Sequence, residues 1–159
     1  MRAMQSYHDR QSKTQIITRK NKKPEKEVER QCMDWMRLRG WSVQVIESKA
    51  TYNPEIGVYR NQSAKAGTAD CIGCTNDGIF VAVEFKAKGR KSTLRPQQYK
   101  FLVEKIEHNA FAVCVESADE LAHYYELWVQ HSESPSDRRE IFQKLLPCKR
   151  ERNSSPIFE

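Results

Sequence analysis

Two carboxylates and one ammonium stand out by their spacing. Asn76-Asp77-Gly78 is a turn signal between two apolar runs, Asp70–Cys74 and Ile79–Phe85. If those three residues close a hairpin, Thr75 faces Ile79 and, counting back, Asp70 faces Glu84. Like charges directly opposed across two strands destabilise a sheet. A divalent cation between them removes that cost, and an oxygen-only ligand set suits magnesium or manganese. The facing pair exists only in this register, because a slip of one residue turns each side chain to the other face. Lys86 lies two residues beyond Glu84 and shares its face, while Phe85 points the other way into a core. A lysine in that place can orient an attacking water or stabilise charge developing on a phosphate.

Basic residues flank this trio. Arg60 and Lys65 precede Asp70, and Lys88, Arg90 and Lys91 follow Lys86. On loops, they are placed to hold phosphates on either side of a scissile bond. Other chemistry-bearing residues read as structural. Cys71 and Cys74 have a zinc-like spacing but no second Cys or His pair, and they fall in an expected strand, so they read as packing. His8, His108, His123 and His131 form no cluster, and no Cys–His nucleophile pairing is evident. Trp35, Trp41 and Trp128 fall on apolar faces and read as core.

The elements that must carry these residues follow from periodicity. Pro24 sits where a first helical residue often does. Val28, Cys32, Trp35, Met36 and Leu38 then recur mostly every three or four residues, which predicts an amphipathic helix over 25–39 closed by Gly40. Trp41–Ile46 alternates as a strand. Residues 48–67 show no clear period and read as a long loop, which in a compact domain is usually functional or disordered. Asp70–Cys74 and Ile79–Phe85 are strands. Pro96 opens a second helix to about residue 108, and Ala110–Val115 is a buried strand. Ser117 and Glu120 form a capping-box pair ahead of a third helix to about residue 130. A linker over 132–137, a short helix near 138–146 and a polar tail complete the chain. The expected fold class is α/β, a layered domain over 24–130 with added arms at 1–23 and 131–159.

Composition sets the bounds. The 159 residues suffice for one domain with a core of its own, and 38% are apolar while 30% are charged. No apolar run is long enough for a membrane span, and no apolar leader is visible. Residues 1–23 carry Arg2, Arg10, Lys13, Arg19, Lys20, Lys22 and Lys23 against Asp9 alone, so the whole excess of +6 lies there. A flexible basic arm on a neutral body points to a polyanionic partner, most simply nucleic acid. The five cysteines, an odd number without a leader, fit reduced thiols and a cytoplasmic location.

Gly67-Thr68-Ala69-Asp70, then Glu84-Phe85-Lys86, then Leu94-Arg95-Pro96-Gln97-Gln98 resemble the motifs of the PD-(D/E)XK nuclease superfamily, and within it the VRR-NUC domain. The resemblance covers about residues 24–120. It implies a restriction-endonuclease-like core, a central mixed sheet flanked by helices. It also implies a magnesium-dependent endonuclease acting on branched or structured DNA, with manganese as a substitute and a 5′-phosphate product. Stand-alone viral members look like Holliday-junction-cleaving homodimers, which would place the chain in a host cytoplasm. By the same resemblance, Asp70 and Glu84 are metal ligands, joined by the Phe85 carbonyl. Lys86 positions the water, and Gln98 is the glutamine at the start of the next helix. The family's first-helix glutamate falls on Glu29, with Glu25 as the second choice. Two other readings stay open: a catalytically inactive nucleic-acid-binding module on this fold, and a restriction-type or RNA-directed nuclease.

Overall fold

The computed structural model describes residues 23–46, 51–60 and 67–147. Helix α1 spans Pro24–Leu38, with Pro24 in the first turn, where its missing N–H costs no hydrogen bond. It buries Val28, Cys32, Met33 and Met36. The chain leaves it through a Schellman closure: Gly40 donates to the Arg37 carbonyl and Trp41 to that of Met36, with Gly40 at φ +77°. Leu38, expected on the apolar side, is 89% exposed, because its position rotates off the stripe made by residues 28, 32 and 36.

Strand β1 is Ser42–Val45, β4 is Cys71–Cys74, β5 is Phe80–Phe85 and β6 is Phe111–Val115. They form one sheet in the order β1-β4-β5-β6, antiparallel except for the parallel pair β5–β6. A parallel neighbour needs a crossover, and helix α2, Pro96–Glu107, supplies it. Helices α3, Ala118–Gln130, and α4, Pro135–Leu145, complete an α/β domain with a four-stranded mixed sheet flanked by helices.

The expected hairpin has the register read from its turn. Cys71 pairs with Val83 and Cys74 with Phe80, the alignment that sets Asp70 against Glu84. Val81, Ala82, Val83 and Phe85 are fully buried, as is nearly all of β6. A two-sided apolar environment explains why both strands read as unbroken hydrophobic runs.

Three expectations change. The loop expected over 48–67 contains a hairpin, with β2 at Thr51–Asn53 and β3 at Val58–Arg60. Among the described strands these two pair only with each other, and at three residues each they are too short to show a period. Helix α4 begins at Pro135, inside the stretch expected to be a linker, and its Phe142 is buried against Phe111. The packed body therefore continues past residue 130. Ser117 does cap α3 by accepting from the Glu120 N–H, but the Glu120 carboxylate turns to the Glu116 N–H instead of completing the box. Trp41 and Trp128 are buried, and Trp35, half-buried, packs edge-on against Trp41 at 5.5 Å. Among the described residues, no helix is long and apolar enough to cross a membrane. Residues 1–22, with the basic arm, and 148–159, with Cys148, lie outside the described residues.

Candidate active site

The sheet delivers Asp70, Glu84 and Lys86 to one cleft of about 400 Å³. Asp70 sits just before β4, and its Oδ2 accepts the Phe85 N–H at 3.0 Å. The Asp70 carbonyl accepts the Ile46 N–H at 2.7 Å. Asp70 is thus fixed to the end of β5 on one side and to the end of β1 on the other. Glu84 is fully buried in β5. Its Oε1 accepts from both the Lys86 ammonium and the Gln98 amide, while Oε2 is buried with no hydrogen-bond partner.

That orphan oxygen is the feature most in need of explanation. A buried carboxylate oxygen without a donor costs about 1–3 kcal/mol or more. Burial first, and then the facing charge of Asp70, push the Glu84 carboxyl up to about 7, and Lys86 only partly offsets them. The Lys86 ammonium is itself held well into its charged form. Its burial works against the charge, but Glu84, Asp70 and Glu25 outweigh it. The remaining donor set is therefore two facing carboxylates, one with a free inward oxygen, and that set suits a hard divalent cation.

The helices close the cleft. Gln98 is buried in the first turn of α2 and bridges, since its Oε1 also accepts the Arg95 N–H at 3.0 Å. From α1, Glu25 approaches Lys86 at 3.6 Å and Glu29 lines the same cleft, its carboxylate bound to Lys26 at 2.7 Å. The structure thus brings Asp70, Glu84, Lys86, Gln98, Glu25 and Glu29 together, with Phe85 beneath them as the backbone donor to Asp70. No group of three or more His, Cys, Asp or Glu side chains that could hold a metal converges among the described residues. The glutamates of α1 are tied to lysines, and two facing carboxylates are what the site presents.

The basic residues expected to grip phosphates divide. Lys88 and Arg90 are exposed on the loop after β5. Lys91 is not free: its ammonium pairs with Glu120 and meets the Tyr124 hydroxyl at 3.0 Å. Glu116 accepts the backbone N–H groups of Arg90 and Lys91, each at 2.8 Å. Lys91 therefore anchors its loop to α3 and does not project from it. Arg60 lies in β3, its side chain outside what is described, and Lys65 lies outside the described residues. Reading the sequence alone missed Lys26, Thr93 and Arg95, which line the cleft. Arg95 stood inside the Leu94–Gln98 motif, and the signal that could have found it was its place one residue before the helix that carries Gln98.

Three buried thiols are poor nucleophiles in this setting. Burial pushes Cys32, Cys71 and Cys114 each up to about 12, and the Glu84 charge adds to the effect at Cys114. No protein-family model matches the chain, and no curated protein matches it.

Proposed function

We propose that the chain is a divalent-metal-dependent endodeoxyribonuclease on a restriction-endonuclease-like core, similar to VRR-NUC domains. One observation carries the reading. Two carboxylates face each other across adjacent strands with one buried oxygen unpartnered, and a lysine and a glutamine converge on the other oxygen. An ordinary sheet has no use for that arrangement. Phosphodiester hydrolysis does.

Asp70 and Glu84 would hold magnesium or manganese, with the Phe85 carbonyl beside them and Glu25 or Glu29 at the rim. A bound divalent ion supplies Lewis acidity and charge neutralisation at the phosphate. The chain's own residues supply the rest. The Lys86 ammonium donates hydrogen bonds to the attacking water and to charge developing on the phosphoryl oxygens. Gln98 fixes the Glu84 rotamer, so the carboxylate needs no reorganisation during the reaction. The Phe85 N–H does the same for Asp70. The basic arm and the exposed Lys88 and Arg90 favour a nucleic-acid polyanion over a small phosphate ester. Branched DNA is the proposed substrate, and two coordinated cuts would require a homodimer.

The test is cleavage of linear, flapped, forked and four-way DNA with and without magnesium. The reading requires metal-dependent cleavage by the wild-type chain. It also requires loss of cleavage in Asp70→Ala and in Lys86→Ala, with DNA binding largely kept. DNA binding without cleavage under any divalent ion would leave a non-catalytic binding module.

A further inference from the structure

We propose that Arg95 is a substrate-binding residue of this site, contacting a phosphate of the DNA backbone next to the scissile bond. The proposal rests on the nuclease reading and extends it to a residue outside the Asp-Glu-Lys motif.

The charge accounting of the cleft leads to it. Among the described residues, three cations line the cleft: Lys26, Lys86 and Arg95. Lys26 is bound by both oxygens of Glu29, at 2.9 and 2.7 Å. Lys86 is bound by Glu84 and lies 3.6 Å from Glu25. Arg95 is exposed, and no carboxylate among the described residues pairs with its guanidinium. Of the described cations lining the cleft, it is the one not committed to a carboxylate. A guanidinium offers two parallel donors that match phosphate oxygens, a geometry an ammonium lacks.

The surrounding loop fixes the backbone from which that side chain projects. Residues 87–95 join the Glu84–Lys86 end of β5 to the Gln98 end of α2. The Glu116 carboxylate takes two consecutive N–H groups at Arg90 and Lys91. Lys91 is clamped by Glu120 and Tyr124. The Thr93 hydroxyl donates to the Arg90 carbonyl at 2.7 Å, and Leu94 is buried. Gln98 then holds the Arg95 N–H directly. One side chain, that of Gln98, thus touches the carboxylate of Glu84 and the backbone of Arg95. This ties the backbone of Arg95 to the carboxylate of Glu84, within reach of the same cleft. Precise placement of a binding group is what converts affinity into rate.

The experiment uses the full chain and a fluorescein-labelled four-way DNA junction, with calcium replacing magnesium so that binding is read without relying on turnover. Affinity is measured from 50 to 200 mM salt for wild type, Arg95→Gln, Arg95→Lys and Lys100→Gln. Lys100 is exposed on the same helix and does not line the cleft. Expected are a five- to twentyfold loss of affinity in Arg95→Gln and a log–log salt slope shallower by about one. Arg95→Lys should keep the slope, and Lys100→Gln should change affinity less than twofold. An unchanged slope in Arg95→Gln, or an equal loss in Lys100→Gln, would overturn the assignment while leaving wild-type cleavage intact. A wild-type chain that neither binds nor cleaves DNA would overturn the nuclease reading itself and this assignment with it.

Discussion

The side-chain amide of Gln98 donates to Oε1 of Glu84 where both residues are buried. It ties the start of α2 to the Glu84 end of β5. Gln98→Ala removes a donor from a buried carboxylate and frees the Arg95 N–H at the same time. The expected cost is roughly 1–3 kcal/mol of stability, read by urea denaturation. Cleavage should fall by more than tenfold at temperatures where the variant stays folded. Wild-type stability in Gln98→Ala would show that the amide contributes nothing to holding Glu84.

The titration of Glu84 gives the metal-free protein an unusual pH dependence. Its carboxyl is pushed from the ordinary 4.5 up to about 7. The folded chain therefore holds this proton more tightly than the unfolded chain does. That contribution is fully present below about pH 4.5 and is lost as pH climbs through 7. The amount is about 3 kcal/mol. Without a divalent ion, unfolding free energy should decline between pH 5 and 8. Millimolar magnesium should recover most of it at pH 8, since a ligand for the native state alone stabilises that state. A flat profile without metal would contradict the burial of an uncompensated carboxylate.

Gly67 makes a close approach that no other residue could make. Its φ is +93°, and a Cβ there would lie 2.7 Å from the Gln97 Cβ and 2.9 Å from the Gln97 backbone. Gly67→Ala combines a disfavoured backbone with a clash against the first turn of α2. Expected are a destabilisation above about 1 kcal/mol and a loss of cleavage, because Gln98 shifts with the helix. Thermal melts and the magnesium cleavage assay read the two effects. An alanine variant with full activity would mean that the loop before Asp70 does not need to rest on α2.

How much of this was legible in the sequence depends on whether the information was local. Asn76-Asp77-Gly78 sets the length of the turn, and the apolar strand after it does the rest, so Asp70 could be aligned with Glu84 from residue order alone. Pro24 and Gly40 bracket α1 for equally local reasons. Lys91 was misplaced because its partners, Glu120 and Tyr124, lie in a helix that approaches only after β6 is laid down. A basic loop residue looks the same in sequence whether it meets a phosphate or a glutamate. The β2–β3 hairpin is a separate two-stranded sheet of three-residue strands. Asn53-Pro54 and Gly57 were visible as its turn, but the flanking strands carry too few residues to show alternation.

The Lys91 anchor yields a stability prediction with a clear sign. The ammonium is held in its charged form by Glu120 and Tyr124, which outweigh its burial. Both members of the ion pair are mostly covered, at 21% and 26% exposure. Lys91→Ala should therefore cost about 1–2 kcal/mol, more than a surface pair and less than a fully buried one. Glu120→Gln should also destabilise, since its one amide oxygen cannot serve both Lys91 and Tyr124 on one side and the Glu116 N–H on the other. A double-mutant cycle between the two sites, read by denaturation, should show positive coupling. Independent effects would place Lys91 back among the surface cations.

Under the proposed function the basic arm is a second source of DNA affinity, and its contribution would have a distinct signature. Residues 1–23 hold all of the net +6, and the rest of the chain is neutral. Contacts from such an arm release counterions from DNA without reading sequence or geometry. Deleting residues 1–23 should therefore weaken binding to linear and branched DNA by similar factors. The log–log salt slope should flatten by several units, far more than the single unit expected from one cleft arginine. Cleavage at saturating DNA should change little, because Asp70, Glu84 and Lys86 remain in place. If the truncated chain keeps the full salt slope, the charge that meets DNA lies on the folded body, with exposed Lys88 and Arg90 as the first residues to substitute.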